Sequence, residues 1–421
     1  MSKRAALWIA FGAVHIGVAV LGFVLPNLPM GDVPNVYEPW SGCALFGTYA
    51  YCGTGGHQIV GITEPWVYPQ LAFIPMALAW AFAWAVGYIP AWAILITLID
   101  AAAFAVLVGR GRSTGRNVSA WFWLAFIALL GPVGMYRLDG VTVPLAIMGC
   151  LWLAGRPWIG SMLLAVATWI KVWPAAILLA AVIVMRRRFA VVGSAILVSA
   201  VTLGAVIVLG GGKYALGFVT EQTDRGIQLE APVGAFYLWR AVFNIPGSYV
   251  YYSPELLTFQ LTGPNVDPLI AVMTPILVIA IGSVAALGAL KVWRGASYLS
   301  LFPALSLSLV TAFILFNKVG SPQYLAWIAV PLAIGLVFDR HHWWKPAVLG
   351  LAIAALTQLL YPIFYNWLLG DTPDAFVALL LTARNALVAV LFVWSIAKLT
   401  RVRTRTSTPA LARADAVAIA G

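Results

Sequence analysis

The stretch VMTPILVIAIGSVAALGAL, residues 272–290, holds no Asp, Glu, Lys or Arg and no alternation of apolar with polar positions. A run of about 20 apolar residues crosses the roughly 30 Å hydrocarbon core of a bilayer as an α-helix. A barrel strand would instead be about 10 residues of alternating character. Comparable runs recur from one end of the chain to the other, so the sequence reads as an all-α polytopic membrane protein. Composition agrees: 62% of the 421 residues are hydrophobic and 9% are charged, against about 25% charged in soluble domains.

Twelve spans are expected, at 5–25, 89–108, 119–135, 140–154, 158–170, 172–185, 189–210, 267–290, 298–316, 323–338, 346–365 and 376–398. The opening Met1-Ser-Lys-Arg and the apolar run behind it lack a convincing small-residue cleavage site, so the run reads as a retained first helix. Segment 67–86 is also apolar, but counting it as a span would place Arg110, Arg112 and Arg116 outside and invert every later loop. Laid along the outer surface, or re-entering, it keeps the bases inside. Its Pro69 and Pro75 fit an irregular helix.

With that choice most of the bases, from Lys3 and Arg4 to Arg401, Arg403 and Arg405, fall on the cytoplasmic side. The net charge of +11 is then a topology signal, and no nucleic-acid partner is expected. Asp32, Glu38, Glu64, Asp139, Glu221, Asp224, Glu230, Glu255, Asp267, Asp371 and Asp374 fall outside. The positive-inside rule does not demand this, because Asp and Glu contribute little to it. A polar active face explains it. Two long outer loops, 26–88 and 211–266, are rich in Trp, Tyr, Gly and Pro. The sequence reads as one integral membrane unit over 1–400, followed by a basic, Ala-rich cytoplasmic tail, 401–421, expected to be disordered. Both termini are expected in the cytoplasm of a cell bounded by this membrane. Cys43 and Cys52 share an outer loop, where a disulfide is possible; Cys150 lies in an apolar run and reads as an inert core residue.

Asp32, in Gly31-Asp32-Val33-Pro34-Asn35-Val36-Tyr37, sits just past the first helix at the membrane surface. A carboxylate there can take a proton from a sugar hydroxyl while a lipid-borne donor lies alongside; equally, it can cap a helix. Further polar clusters follow at outer helix ends: Glu64-Pro65-Trp66-Val67-Tyr68-Pro69-Gln70-Leu71, Arg137-Leu138-Asp139-Gly140, Lys171-Val172-Trp173-Pro174, Thr223-Asp224-Arg225-Gly226-Ile227-Gln228-Leu229-Glu230, and Lys318-Val319-Gly320-Ser321-Pro322-Gln323-Tyr324.

On these marks the chain resembles the polyprenyl-phosphate-sugar-dependent glycosyltransferases of the GT-C class, in particular actinobacterial mannosyltransferases acting on phosphatidylinositol mannosides and lipomannan. The resemblance runs from about residue 5 to residue 398. It rests on an Asp after the first helix, a Tyr-Pro element before an outer-surface helix, a Lys-x-x-Pro element and the Lys318–Tyr324 stretch. Two departures weaken any transfer of specificity: Tyr68-Pro69-Gln70-Leu71 stands where Tyr-Pro-Pro-Leu is usual, and Arg137-Leu138-Asp139-Gly140 where many relatives carry Gly-Gln.

The resemblance implies a GT-C-type bundle and an inverting transfer of mannose from polyprenyl-phosphate mannose to a mannosylated glycolipid, with an α-1,2 link as the first guess. It casts Asp32 as general base. Lys171, Arg225, Lys318 and Arg137 are the candidates to neutralise the donor phosphate, unless they are solvated or paired with neighbouring acids. Tyr68 and Trp239 are the aromatics most favoured to stack on sugar, although outer aromatics also anchor proteins at the interface. Glu230 and Gln323 are further substrate-binding candidates, and His57 is a candidate to assist proton transfer. Of the deep ionisable groups, His15 reads as structural, and Asp100 as structural, either protonated or paired, with Arg384 a candidate partner. The outer loops hold no Asp-x-Asp pair, and side chains alone can neutralise a lipid monophosphate, so no cofactor is expected. Rival readings are the same class with another sugar, such as arabinofuranose, and a transporter of about twelve spans.

Overall fold

The computed structural model describes residues 2–53, 56–220 and 225–404; Glu221, Asp224, Arg405 and nearly all of the tail lie outside them. The helices are α1 (Lys3–Val24), α2 (Glu38–Phe46), α3 (Tyr49–Cys52), α4 (Phe73–Val86), α5 (Tyr88–Val108), α6 (Thr114–Leu130), α7 (Pro132–Met135), α8 (Asp139–Leu153) and α9 (Pro157–Ile170). They continue as α10 (Pro174–Val184), α11 (Arg188–Val208), α12 (Gly217–Thr220), α13 (Ala235–Val242), α14 (Val266–Trp293), α15 (Tyr298–Leu315), α16 (Ala329–Gln358) and α17 (Ala375–Thr400).

Their boundaries follow local chemistry. The side chains of Ser2, Ser113 and Asp374 cap α1, α6 and α17 by accepting from the amides of Ala5, Arg116 and Val377, satisfying donors that have no partner within the helix. Proline opens α9 and α10, where its missing N–H costs nothing. The chain turns between α4 and α5 at Gly87, whose φ of 82° is readily adopted only without a Cβ.

Seven helical stretches among the described residues are long and apolar enough to cross a membrane: α1, α5, α11, α14, α15, residues 322–368, and α17. That is fewer than the twelve spans read from the sequence. Helices α8, α9 and α10 have 15, 14 and 11 residues, or roughly 16–23 Å, less than the hydrocarbon core. The apolar run read as 119–135 ends its helix at Leu130 and restarts at Pro132. In α16 the backbone breaks at Asp339, with φ −154° and ψ 71°, giving two arms. The segment 67–86 forms a short 3-10 turn at Gln70–Ala72 and then the 14-residue α4.

The outside of the bundle identifies its solvent. Val208, Val278 and Ile279 are 86%, 64% and 66% exposed, part of long apolar faces on α11 and α14. In water such faces would be an extended apolar patch; in lipid they are satisfied. Inside, a continuous core surrounds the fully buried Trp92, Trp173, Trp327, Tyr37 and Tyr136.

The chain is not wholly α-helical. Within 211–266 three antiparallel strands pair in the order β1-β3-β2: β1 (Ile227–Gln228), β2 (Tyr249–Ser253) and β3 (Thr258–Thr262). Ile227 and Leu261 are cross-strand partners, as are Tyr252 and Phe259. Ile227 and Leu261 are buried in a second core with Tyr237, Tyr365, Leu368 and Leu381, so the sheet packs on α13, the turns at 359–368 and the start of α17. The tyrosines and threonines that read as interfacial aromatics and loop are good strand formers on a half-buried surface.

Candidate functional site

A cavity of about 990 Å³ opens beside this sheet, at the upper end of the range for small-molecule sites. Asp32, Tyr68, Arg137, Lys171, Arg225, Glu230, Lys318 and Gln323 all line it. They come from segments spread over most of the chain, and each is set by its own local structure.

Past α1 the chain reverses through Asn27 and Leu28, both at positive φ. Asn27 is pinned to the segment after α16: its side-chain amide donates to the carbonyl of Pro362 at 2.7 Å, and Tyr361 OH donates to the Asn27 carbonyl at 2.9 Å. A π turn over Val33–Tyr37 then leads into α2. This presents Asp32 to the cavity. Its Oδ2 forms an ion pair with Arg137 Nη1 and accepts from Tyr37 OH at 3.5 Å. Tyr37 OH in turn accepts from the amide of Leu138 at 3.2 Å. Burial pushes the Tyr37 phenol well above its usual pKa, so it remains a hydroxyl donor. Arg137 also donates to the carbonyl of Pro29 at 3.3 Å and to Tyr361 OH at 3.4 Å. Its fork is therefore engaged in holding the Asp32 loop, the ion-pair alternative that the sequence left open for this residue.

Lys171 lies between α9 and α10. Its ammonium is 2.5 Å from Asp139 Oδ2, and the other oxygen of that wholly buried carboxylate accepts from Trp327 Nε1. Asp139 begins α8, where the helix dipole favours an anion. Burial lowers the Lys171 pKa, and the Asp139 carboxylate works against that fall. Lys171 also lies 5.2 Å from the ring centre of Tyr324, which stacks on Trp327 at 4.1 Å; Trp327 stacks on Trp173 at 5.5 Å. This lysine is a positioned cation with an ion-pair partner.

The Lys318–Tyr324 stretch is clasped onto β1. Gln228 Oε1 accepts from the Gly320 amide at 3.2 Å and the Ser321 hydroxyl at 3.1 Å, while the Gln228 amide donates to the Lys318 carbonyl at 3.0 Å. A Cβ on Gly320 would come within 2.4 Å of Ala231 backbone atoms, so only glycine permits this approach. The clasp brings Lys318 and Gln323 to the cavity wall. Arg225 lines the same cavity, and its buried Nε has no hydrogen-bond partner among the described residues.

Glu230 is 5% exposed. Its Oε1 accepts from Tyr365 OH at 2.7 Å and its carbonyl accepts from Arg384 Nη2 at 3.0 Å. Burial raises its pKa. Part of the wall is apolar, with Met273 and Leu277 of α14 and Phe313 of α15, followed by Phe316, while Glu255, Thr274, Asn317 and Asn366 add polar groups.

Two expected site residues do not line the cavity. Trp239 lies on α13 and donates to Thr382 on α17 at 2.9 Å. His57 makes its hydrogen bond to the Ala44 carbonyl at 3.1 Å. Asp100 pairs with His15 at 2.9 Å and accepts from Trp123 at 3.1 Å; Arg384 belongs to Glu230 instead, so the candidate Asp100–Arg384 pair is not formed. Cys43 and Cys52 form a disulfide. It links α2 to α3, and Ser41 ties α2 to α4 by accepting from Trp80 Nε1 at 2.9 Å. Among the described residues no group of His, Cys, Asp and Glu is arranged to hold a metal ion.

Sequence reading counted Asp139 only as an outer acid and missed it as the partner of Lys171. It also passed over Phe259, Tyr361 and Tyr365, all of which line the cavity. Tyr361 and Tyr365 sit at the end of an apolar run, where hydropathy hides them. Comparison of the chain with family models, curated proteins and solved structures found no match.

Proposed function

We propose that this protein is an inverting glycosyltransferase that moves mannose from polyprenyl-phosphate mannose to a mannosylated glycolipid on the extracytoplasmic face of the plasma membrane. In this reading the shorter helices complete a bundle of twelve crossings, both termini are cytoplasmic, and the cavity beside the sheet faces outward. The observation that carries it is the convergence of one partly exposed carboxylate, Asp32, with Lys171, Arg225 and Lys318 on a single cavity that also has an apolar wall.

The chemistry assigns a part to each. Asp32 takes the proton from the acceptor hydroxyl, and the oxygen attacks the anomeric carbon of the donor mannose. The bond from that carbon to the phosphate oxygen breaks, and polyprenyl phosphate leaves from the opposite face with inversion. Arg137 and Tyr37 fix the base, while Lys171, Arg225 and Lys318 offset the charge developing on the leaving phosphate. The apolar side chains of α14 and α15 fit the first isoprene units of the carrier. No cofactor takes part in this scheme.

The test is transfer of labelled mannose by the purified protein. Asp32→Asn is expected to lower turnover by about 10²–10⁴-fold in a protein that still folds. Wild-type turnover by that variant would overturn the assignment of the base. A donor panel that includes polyprenyl-phosphate arabinofuranose decides the sugar. Substrate flux in proteoliposomes without any glycosylated product would make the protein a transporter.

A further inference from the structure

Arg137, Leu138 and Asp139 are consecutive, and each grips a different part of the cavity wall. Arg137 pairs with Asp32. The Leu138 amide donates to Tyr37 OH, which donates to the same Asp32 carboxylate. Asp139 pairs with Lys171. This stretch is one of the two departures from the resembled family, so that resemblance assigns Asp139 no part. Its surroundings leave it little room to move. Tyr136, Leu138, Asp139 and Gly140 are buried, and Trp92 Nε1 donates to the Tyr136 carbonyl at 2.8 Å. A Cβ on Gly140 would overlap the Met135 carbonyl, so glycine is what lets α7 and α8 join so closely.

Asp139 does not itself line the cavity, whereas Lys171, held through Oδ2, and Trp327, held through Oδ1, both do. Tyr324 closes the group: it stacks on Trp327, and the Lys171 ammonium lies 5.2 Å from its ring centre. Burial favours the neutral amine of Lys171, and the charges of Arg137 and Arg225 push the same way, while Asp139 opposes all three. Tyr68, which the Asp139 charge also reaches, is pushed up by burial and stays a neutral phenol. A lysine without its proton offsets no phosphate charge. The cation on the donor side therefore depends on a carboxylate that lies behind the wall.

We infer that Asp139 is the positioning residue of the donor site: from behind the cavity wall it holds the Lys171 ammonium charged and in place for the donor phosphate, as Arg137, two residues earlier, holds Asp32 for the acceptor. This rests on the glycosyltransferase reading and specifies how its donor side is built. Because one short joint sets both, the base and the phosphate-binding cation keep a fixed relation to each other.

The experiment uses the full-length protein, polyprenyl-phosphate mannose as the probe, and uncharged polyprenol as the comparison. The probe is a phosphodiester, so its own charge stays constant. Tryptophan fluorescence without acceptor reports binding between about pH 6 and about pH 9, where a buried lysine without its counter-ion loses its proton. Labelled transfer gives kcat and donor KM. The wild type is expected to prefer the probe to polyprenol across the range. Asp139→Asn is expected to bind the probe about tenfold more weakly at the alkaline end and to recover at the acid end. Adding Lys171→Arg to Asp139→Asn supplies a cation that does not titrate and is expected to restore binding throughout. In turnover, Asp139→Asn is expected to raise donor KM more than it lowers kcat, and Arg137→Gln to do the reverse. Thr142→Val, on the same helix, loses the bond from Trp173 but keeps both charges, and is expected to bind the probe as the wild type does. Where Asp139→Asn is too unstable to purify, Asp139→Glu decides. It keeps the charge but displaces Lys171, so donor KM is expected to rise without pH dependence, and an unchanged donor KM overturns the inference. Binding by Asp139→Asn that matches the wild type overturns it too. So does equal weakening at every pH that Lys171→Arg does not restore, which makes Asp139 a packing residue only. Each of these leaves the transferase reading standing. A wild type that binds the probe no better than polyprenol overturns both.

Discussion

Lys171 and Asp139 form a 2.5 Å ion pair in which the carboxylate is wholly buried and the lysine nearly so. Such a pair is only modestly stabilising as a unit, because both charges leave water. Breaking it is another matter, since one charge is then left without compensation. Asp139→Asn is expected to cost about 3–5 kcal/mol, and the double variant Asp139→Asn with Lys171→Met to recover most of that loss. Unfolding in detergent, followed by tryptophan fluorescence, measures both. A double variant as unstable as the single one would mean that Asp139 acts through Trp327 and not through Lys171.

Arg225 should report the donor. Its buried Nε has no hydrogen-bond partner among the described residues, and a charged hydrogen bond to phosphate is worth about 1.5–3 kcal/mol. Arg225→Ala is expected to raise the donor KM by roughly tenfold to a hundredfold with little change in the acceptor KM, and Arg225→Lys to restore part of the loss. Initial rates at varied donor concentration check this. An unchanged donor KM would remove Arg225 from the phosphate site.

Glu230 gives a pH signature. Burial raises its folded-state pKa above the ordinary carboxylate value of 4.5, so the folded protein holds this proton more tightly than the unfolded chain does. The stability from that proton is fully present below the unfolded value and is lost as pH rises through the folded one. Glu230→Gln keeps the shape and cannot ionise. Its stability relative to wild type is therefore expected to improve as pH rises above the ordinary carboxylate range. Melting temperatures of the two proteins across that range decide it; parallel curves would contradict a buried, titrating Glu230.

The disulfide between Cys43 and Cys52, nine residues apart, restricts the unfolded α2–α3 loop by about 2–3 kcal/mol. Reduction, or Cys43→Ser, is expected to speed amide exchange across residues 43–53 and to leave α14 unaffected. Hydrogen exchange with peptide-level readout measures it. Equal protection with and without reductant would show that Ser41 and its partners alone hold the loop.

Much of the site was legible before folding was considered. Asp32, Lys171, Arg225 and Lys318 stand out because a charge beside an apolar run is conspicuous when charges are scarce. Trp239 and His57 looked equivalent to them by the same rule and are not on the cavity, because adjacency to acids and bases in sequence does not fix which way a helix or loop faces. The sheet escaped notice for a related reason: Tyr249–Ser253 and Thr258–Thr262 are too short for a period-two signal to rise above an aromatic-rich loop.

By itself the sequence determined that the chain is a polytopic membrane protein, since transfer of an apolar helix into lipid depends on a local run of side chains. It also determined which polar residues gather at helix ends. Only the tertiary structure decided which of them meet. Lys171 found Asp139 across 32 residues and Tyr365 found Glu230 across 135, and no spacing rule encodes such pairs. They form because a buried charge or hydroxyl must have a partner, and the packing of the helices selects which one is within reach.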